Sequence, residues 1–303
     1  MLRNAFLFLS RRPHLRRWME TSPLAARLTR RFIAGLTLDE GLAVCRRLNS
    51  EHIAASLDHL GELVHSAKEA AAACNDYLIA LDCIAALGLH ASISVKLSQL
   101  GLDFDESDCR ANVHKLAERA KYIGTLVEID MEASKYIDRT LAIAVEAHDA
   151  FGSVRAVIQA YLRRSAADVA MLCERRLPVR LVKGAYNEPH SIAYSRKREV
   201  DENYLVLTRA LFDGGVEPAI ASHDERMIES AAAYARERAI APERFEFQML
   251  YGIRRDLQQN LIARGYRLRL YVPYGAAWYP YFMRRLAERP ANVLFLARQL
   301  VRR

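Results

Sequence analysis

Short apolar segments recur along the chain, each closed by polar or glycine-containing residues. They are HIAASLDHLG from His52, ASISVKLSQLG from Ala91, GTLVEIDMEA from Gly124 and VRAVIQAYLRR from Val154. VRLVKGAY from Val179, EPAIASHD from Glu217, FEFQMLYG from Phe245 and RLRLYVPYG from Arg267 complete a set of eight. Each is rich in β-branched or aromatic residues and has the length of a buried strand. Between them run stretches dominated by Ala, Leu, Arg and Glu without internal proline, such as NVHKLAERAKYI, SAADVAMLCERR, ESAAAYARERA and RRDLQQNLIARG. These predict helices. Each repeat has room for a strand, a crossover helix and two turns. Eight such units in a chain of 303 residues predict an α/β fold, a closed TIM-like (β/α)8 barrel. An open doubly wound sheet would need a glycine-rich turn after its first strand, and no GxGxxG occurs.

The first fifty residues read as helix, a segment expected to pack on a barrel spanning 51–303, with one domain overall. Thr37-Leu-Asp-Glu40 is a capping box, in which the Thr side chain and the Glu three residues on satisfy each other's backbone N–H groups. The leading MLRNAFLFLSRRPHLRRWME reads as a basic amphipathic helix. Its FLFL run is too short for a signal-peptide core, and the lack of acids before Glu20 gives it a faint likeness to an organellar transit peptide.

Composition narrows the class. Half the chain is apolar and 26% is charged, which suits a globular protein with a large core. No apolar run reaches the length of a membrane span. The net charge of +8 suits an acidic partner, whether nucleic acid, a phosphorylated cofactor or an anionic membrane. Five cysteines without a CxxC pair read as reduced thiols. The histidines form no HxH or HExxH, so zinc has no support in the sequence.

In a parallel barrel the chemistry sits at the C-terminal ends of the strands. Those ends carry Lys96, Asp130, Gln159, Arg163, Lys183, Tyr186, His223, Asp224, Gln248, Tyr271 and Tyr274. Any one could be ordinary polar surface, but together they bring Lys and Arg to one rim with few carboxylates. Neither a magnesium-type acid cluster nor a Ser/His/Asp arrangement is present. The expectation is a rim that holds a negatively charged ligand. After the eighth strand comes WYPYFMRRLAERP, which places Tyr281, Arg284, Arg285 and Glu288 on one helix face. The face could be a solvated stripe. Following the last strand end, the helix can instead fold over the barrel mouth, where adjacent arginines can grip a carboxylate.

Taken in order, SVKLSQLG, VEIDMEA, IQAYLRR, RLVKGAY, SHD, FEFQMLYG, YVPYG and YFMRRLAERP closely resemble the proline dehydrogenase (proline oxidase) family. The likeness extends to the monofunctional bacterial enzymes and to the matching domain of bifunctional proline-utilisation flavoenzymes, and it runs from about Arg31 to Leu300. It implies a distorted (β/α)8 barrel whose last helix lies over the active site. It also implies FAD-dependent oxidation of L-proline to Δ1-pyrroline-5-carboxylate, the first step of proline catabolism, with hydride passing from the ring carbon beside nitrogen to flavin N5.

By the same resemblance Arg284, Arg285 and Lys96 meet the proline carboxylate. Tyr186, Tyr271 and Tyr281 wall the ring, with Ala185 and Leu250 as apolar contacts. Arg180 stands beside flavin N5. Gln159, Lys183 and His223 hold the cofactor, with Arg163, Ser222, Gln248 and Glu288 as further cofactor contacts. Asp130 organises the site beside Lys96 and contributes on the cofactor side. Lys96, Asp130, Arg180 and Tyr271 form the expected catalytic set. The family often has Thr where this chain has Ser222, which keeps the hydroxyl, and Tyr274 varies and is left out of the substrate set.

The resemblance further implies a membrane quinone as electron acceptor and a cytoplasmic protein held peripherally on the anionic inner face of the cell membrane. A pyrroline-5-carboxylate dehydrogenase is the candidate partner. Two other classes bear on the same residues. Lys96 or Lys183 could be the Schiff-base lysine of a class I aldolase, and the arginine-rich helices could form a nucleic-acid surface. No nucleic-acid recognition motif is present, and no nucleic-acid partner is expected.

Overall fold

The structure, a computed structural model, describes residues 31–61 and 64–288, with side chains described as far as Met283. The basic N-terminal stretch expected to be helical lies outside the described residues. Eight parallel strands close into one barrel in sequence order. They are β1 (Ala54–His59), β2 (Ala91–Val95), β3 (Val127–Ile129), β4 (Val154–Gln159), β5 (Val179–Val182), β6 (Ala219–Ala221), β7 (Glu246–Leu250) and β8 (Leu268–Tyr274). Closure is made by β8 on β1, with Ser56 opposite Tyr271 and Asp58 opposite Pro273.

The strands alternate. One set of positions, including Leu57, Ile93, Val95, Val127, Ile129, Leu181, Ile220, Phe247, Leu270 and Val272, is apolar and fully buried. The intervening set is polar: Ser56, Asp58, Ser92, Ser94, Glu128, Arg155, Arg180, Glu246, Gln248 and Arg269, all buried too. Successive side chains of a strand point to opposite faces. The apolar set therefore packs outward on the helices and the polar set fills the barrel.

The helices are α1 (Leu38–Ser50), α2 (Ala67–Ala86), α3 (Glu106–Tyr122), α4 (Ile137–Phe151), α5 (Ser165–Glu174), α6 (Lys197–Gly214), α7 (Glu225–Glu237), α8 (Arg255–Ala263) and α9 (Trp278–Glu288). Thr37 caps α1 as the sequence predicts, its hydroxyl accepting from Glu40 N–H at 3.3 Å while Glu40 accepts from Thr37 N–H at 3.2 Å. Asp105 and Asp224 cap α3 and α7 in the same manner, satisfying first-turn N–H groups.

The ring departs from the regular barrel at its seam. α1 packs against β1 and β8, the place a helix following β8 would ordinarily take. That leaves α9 to turn over the mouth. Its Trp278, Tyr279, Tyr281, Phe282 and Met283 bury themselves with Phe32, Ile33, Leu60 and Ile253, above Leu250 and Tyr271. The 31–35 segment is laced to the same end: Ala34 N–H donates to Pro273 O at 2.8 Å and Gly35 O accepts from Gly275 N–H at 3.0 Å. Gly252, at φ 78°, passes so close that a Cβ would lie 1.8 Å from Arg31 O.

Candidate active site

The barrel interior holds Asp58, Glu128, Asp130 and Glu246 with Lys96, Arg155, Arg180 and Arg269, so its charges balance. In the lower layer Glu246 Oε1 accepts from Arg155 at 2.5 Å, Arg269 at 2.9 Å and Gln248 at 2.7 Å. Gln248 also donates to Glu128 at 3.0 Å, and Ser92 donates to Glu128 at 2.9 Å. Burial would raise the carboxyls of Glu128 and Glu246. The guanidiniums around them, chiefly Arg180 for Glu128 and Arg269 for Glu246, hold both below the usual carboxylate range.

Nearer the mouth, Lys96 and Asp130, just past the ends of β2 and β3, meet Arg180 of β5 and Tyr271 of β8. Lys96 Nζ donates to Asp130 at 2.9 Å, Asp58 at 3.2 Å and Tyr271 Oη at 3.2 Å. Tyr271 donates to Asp130 at 2.9 Å and Ser94 does so at 2.9 Å. Arg180 pairs with Asp130 and reaches Ser94 at 3.1 Å, Glu128 at 3.2 Å and Gln248 at 3.4 Å.

The charges reinforce one another. Burial alone would lower the Lys96 pKa, but Asp58 and Asp130 hold it well above the ordinary lysine value. Burial would raise Asp130, whereas Lys96 and Arg180, helped by hydrogen bonds from Lys96 and Ser94, bring it down to about 2. Burial and then the charges of Asp130 and Asp58 push the Tyr271 phenol well up. At neutral pH the cluster is thus an ammonium, a guanidinium, a carboxylate and a neutral phenol, none of them close to its own titration. It is built to hold charge rather than to pass a proton.

On the far side of the rim, Lys183 sits between Asp201 at 2.5 Å and Asp224 at 2.8 Å. Asp224 N–H donates to Ser222 Oγ at 3.1 Å, and Ser222 N–H donates to Gln248 O at 3.1 Å. His223 Nε2 accepts from Leu250 N–H at 2.8 Å, which puts the proton of a neutral imidazole on Nδ1. Gln159 spends its amide on the carbonyls of Met131 at 3.3 Å and Glu132 at 2.9 Å. Arg163 donates to His190 O at 2.9 Å and lies 4.7 Å over the Tyr194 ring. Ala185 and Tyr186 follow in the β5–α6 connection, which Glu188 ties to Ser134 through bonds of 2.7 and 2.6 Å. Tyr186 is exposed, whereas Leu250 and Tyr281 belong to the apolar cluster under α9.

Three expectations change. Gln248 is not at the rim: it lies two residues inside β7 and bonds downward to Glu128 and Glu246. The strand ends are not poor in carboxylates, because each of Lys96, Arg180 and Lys183 meets two. Lys96, Arg180 and Lys183 therefore bring no unpaired positive charge to the described rim, while the side chains of Arg284, Arg285 and Glu288 lie outside the described residues. The paired state of Lys96 and Lys183 also speaks against an aldolase, since a Schiff-base lysine must present a neutral amine. Many arginines of the outer helices are likewise matched, as Arg110 is with Glu106 and Glu146, Arg164 with Asp138 and Asp168, and Arg264 with Glu229.

Asp58, Ser94, Glu128, Arg155, Glu246 and Arg269 were missed as candidates. For Ser94, Glu128, Arg155 and Arg269 the signal in the sequence is a charge or hydroxyl flanked on both sides by buried apolar residues of one strand, as in Val127-Glu128-Ile129 and Leu268-Arg269-Leu270, whereas Asp58 is followed by His59 and Glu246 opens its strand.

A profile of the family described as proline dehydrogenase matches residues 42–298. The chain is 38% identical over 304 residues to proline dehydrogenase 1 of Bacillus subtilis (strain 168), covering 100% of both chains. It is 38% identical over 280 residues to the proline dehydrogenase of Deinococcus radiodurans, covering 91% of this chain and 90% of that one. Among solved structures it is similar to proline utilization A of Bdellovibrio bacteriovorus, inactivated by N-propargylglycine, with a TM-score of 0.82 at 29% identity. That match covers 87% of this chain but 33% of the other, so the chain spans about a third of that longer protein.

Proposed function

The chain belongs to the proline dehydrogenase family, and from this premise we propose that it oxidises L-proline to Δ1-pyrroline-5-carboxylate with FAD as its cofactor. The observation that carries the reading is the cluster of Lys96, Asp130, Arg180 and Tyr271 under α9 at the mouth of the barrel. The residues suit a flavin. Arg180 Nε is buried with no hydrogen-bond acceptor among the described residues, a donor left over for a bound group. His223 stands on the same rim, its Nε2 accepting from Leu250 N–H, and Lys183 is a cation at a strand end that can approach a phosphate. In this reading Gln159, Arg163, Arg180, Lys183, Ser222 and His223 hold the cofactor, with Asp130 orienting Arg180 and Gln248 supporting it from below. FAD, when bound, supplies the two-electron acceptor that the oxidation needs.

The protein's own part is placement and electrostatics. Tyr271, Tyr281, Tyr186, Ala185 and Leu250 wall a small saturated ring that has little to offer beyond its carboxylate and amine. Arg284 and Arg285 take the carboxylate, with Lys96 adding its field from the floor. α9 and the 31–35 segment roof the mouth and exclude water, which strengthens each of these charge interactions.

The test is the visible absorption spectrum of the purified protein before and after anaerobic L-proline. A flavin spectrum bleached by proline is expected. A flavin that proline leaves unbleached would move the substrate to another cyclic amino acid, and a colourless protein that takes up no added FAD would overturn the reading.

The same reading sends the electrons to a membrane quinone, with the chain resting peripherally on an anionic inner membrane face. The net charge of +8 supports it, each well-placed cation contributing about 1 kcal/mol. Among the described residues no helix is long and apolar enough to cross a membrane. Flotation with anionic liposomes at low salt is the check, and a protein that stays at the bottom contradicts it. A pyrroline-5-carboxylate dehydrogenase is the class of partner that would consume the product.

A further inference from the structure

Lys96 is held by more oxygen atoms than a substrate-binding lysine needs. An ammonium has three N–H donors, and all are taken, by Asp58, Asp130 and Tyr271. Asp130 is shared with Arg180, which also draws on Glu128. Asp58 makes its one ion pair among the described residues with Lys96, its side chain is 2% exposed, and its second oxygen has no hydrogen-bond donor there. The mouth layer of Asp58, Lys96, Asp130 and Arg180 is therefore neutral, and Asp58 is the member whose charge can be removed without touching Arg180.

We infer that Asp58 sets the charge selectivity of the mouth: by neutralising Lys96 from below, it favours a zwitterionic amino acid over a bare carboxylate of the same shape. The inference rests on the proline reading above. A bare anion carries a full charge into the pocket, whereas a zwitterion brings a cation with its anion. The negative charge of Asp58 opposes the carboxylate of both ligands but attracts the ammonium of only one. Whatever other charges surround the mouth, taking that negative charge away moves the preference towards the bare anion. At an effective dielectric of about 20, one charge acting over a few times the distance of a contact pair changes the preference by about tenfold.

The experiment compares the inhibition constant of cyclopentanecarboxylate, which has the ring and carboxylate without the amine, with the KM for L-proline. In Asp58→Asn, close in shape to the original, the ratio of the two constants should fall about tenfold. Asp58→Glu, which keeps the charge, should leave the ratio at its wild-type value. Should the Asn variant fail to fold, Lys96→Gln must move the ratio the other way. Constants that rise together in Asp58→Asn at an unchanged ratio would mark Asp58 as structural and overturn the inference, as would an unchanged ratio in Lys96→Gln. A wild-type protein that binds flavin yet neither oxidises nor binds proline would instead mean that the substrate reading had failed.

Discussion

Asp130 joins the two cations of the mouth, and Asp130→Asn should show what that junction is worth. The substitution preserves volume and a carbonyl but leaves Lys96 to Asp58 and Arg180 to Glu128. Removing one partner of a buried ion pair costs about 3–5 kcal/mol, which for a chain of 303 residues is a fall in Tm of about 5–8 °C. The titrating share can be separated. In the folded protein the Asp130 carboxyl lies at about 2, against about 3.9 for an unperturbed aspartate, a difference worth about 2–3 kcal/mol. Because the folded value is depressed, that stability is present in full above the unfolded value and is lost as the pH falls through the folded one. Urea unfolding of wild type and variant should therefore show a constant stability gap from pH 7 to about 5, narrowing from about pH 4 towards about 2. A gap below about 1 kcal/mol at pH 7, or one that stays constant as the acid range is entered, would refute the junction role.

Other expectations follow from single contacts. Gly252→Ala forces a Cβ to within 1.8 Å of Arg31 O at φ 78°, so thermal melts should show a loss of about 1–3 kcal/mol, and wild-type stability would contradict the close crossing of the two chains. His223→Phe leaves Leu250 N–H without its acceptor, a cost of about 1–3 kcal/mol. Flavin retained after dialysis should drop, and full retention would remove His223 from the cofactor set. Arg285→Met should keep the flavin absorbance while raising the KM for proline by about tenfold or more, and unchanged proline kinetics would withdraw the carboxylate assignment.

The barrel was legible because its outward positions are apolar. Each of the eight segments contains the observed strand, and the capping box at Thr37 and Glu40 marks the start of α1. Lys96, Asp130 and Tyr271 were legible as strand ends, Arg180 only through the likeness carried by RLVKGAY, and Asp58 not at all. Their relationships were not. Asp58 meets Lys96 across 38 residues and Arg155 meets Glu246 across 91, so neither pair leaves a local spacing to find. Lys96 therefore looked like a cation awaiting a ligand, although pairing of β1 with β2 had already supplied it with an anion. Gln248 misled for a related reason: FEFQMLYG does not reveal that β7 continues to Leu250, which puts the amide inside the barrel.

The polar filling of the barrel has a consequence for how the chain reaches its fold. The first four strands and their ends bring Asp58, Lys96, Glu128, Asp130 and Arg155, an excess of one negative charge, while the last four bring Arg180, Glu246 and Arg269, an excess of one positive. A half-barrel assembled by itself would bury charges whose counterparts are still in the other half. Glu246 would lack Arg155, and Arg180 would lack both Glu128 and Asp130. An apolar core gains something from each strand added. This one penalises a stop at the half-barrel, which favours joint assembly and makes the two halves complementary fragments, each poorly formed alone and electrostatically matched to the other.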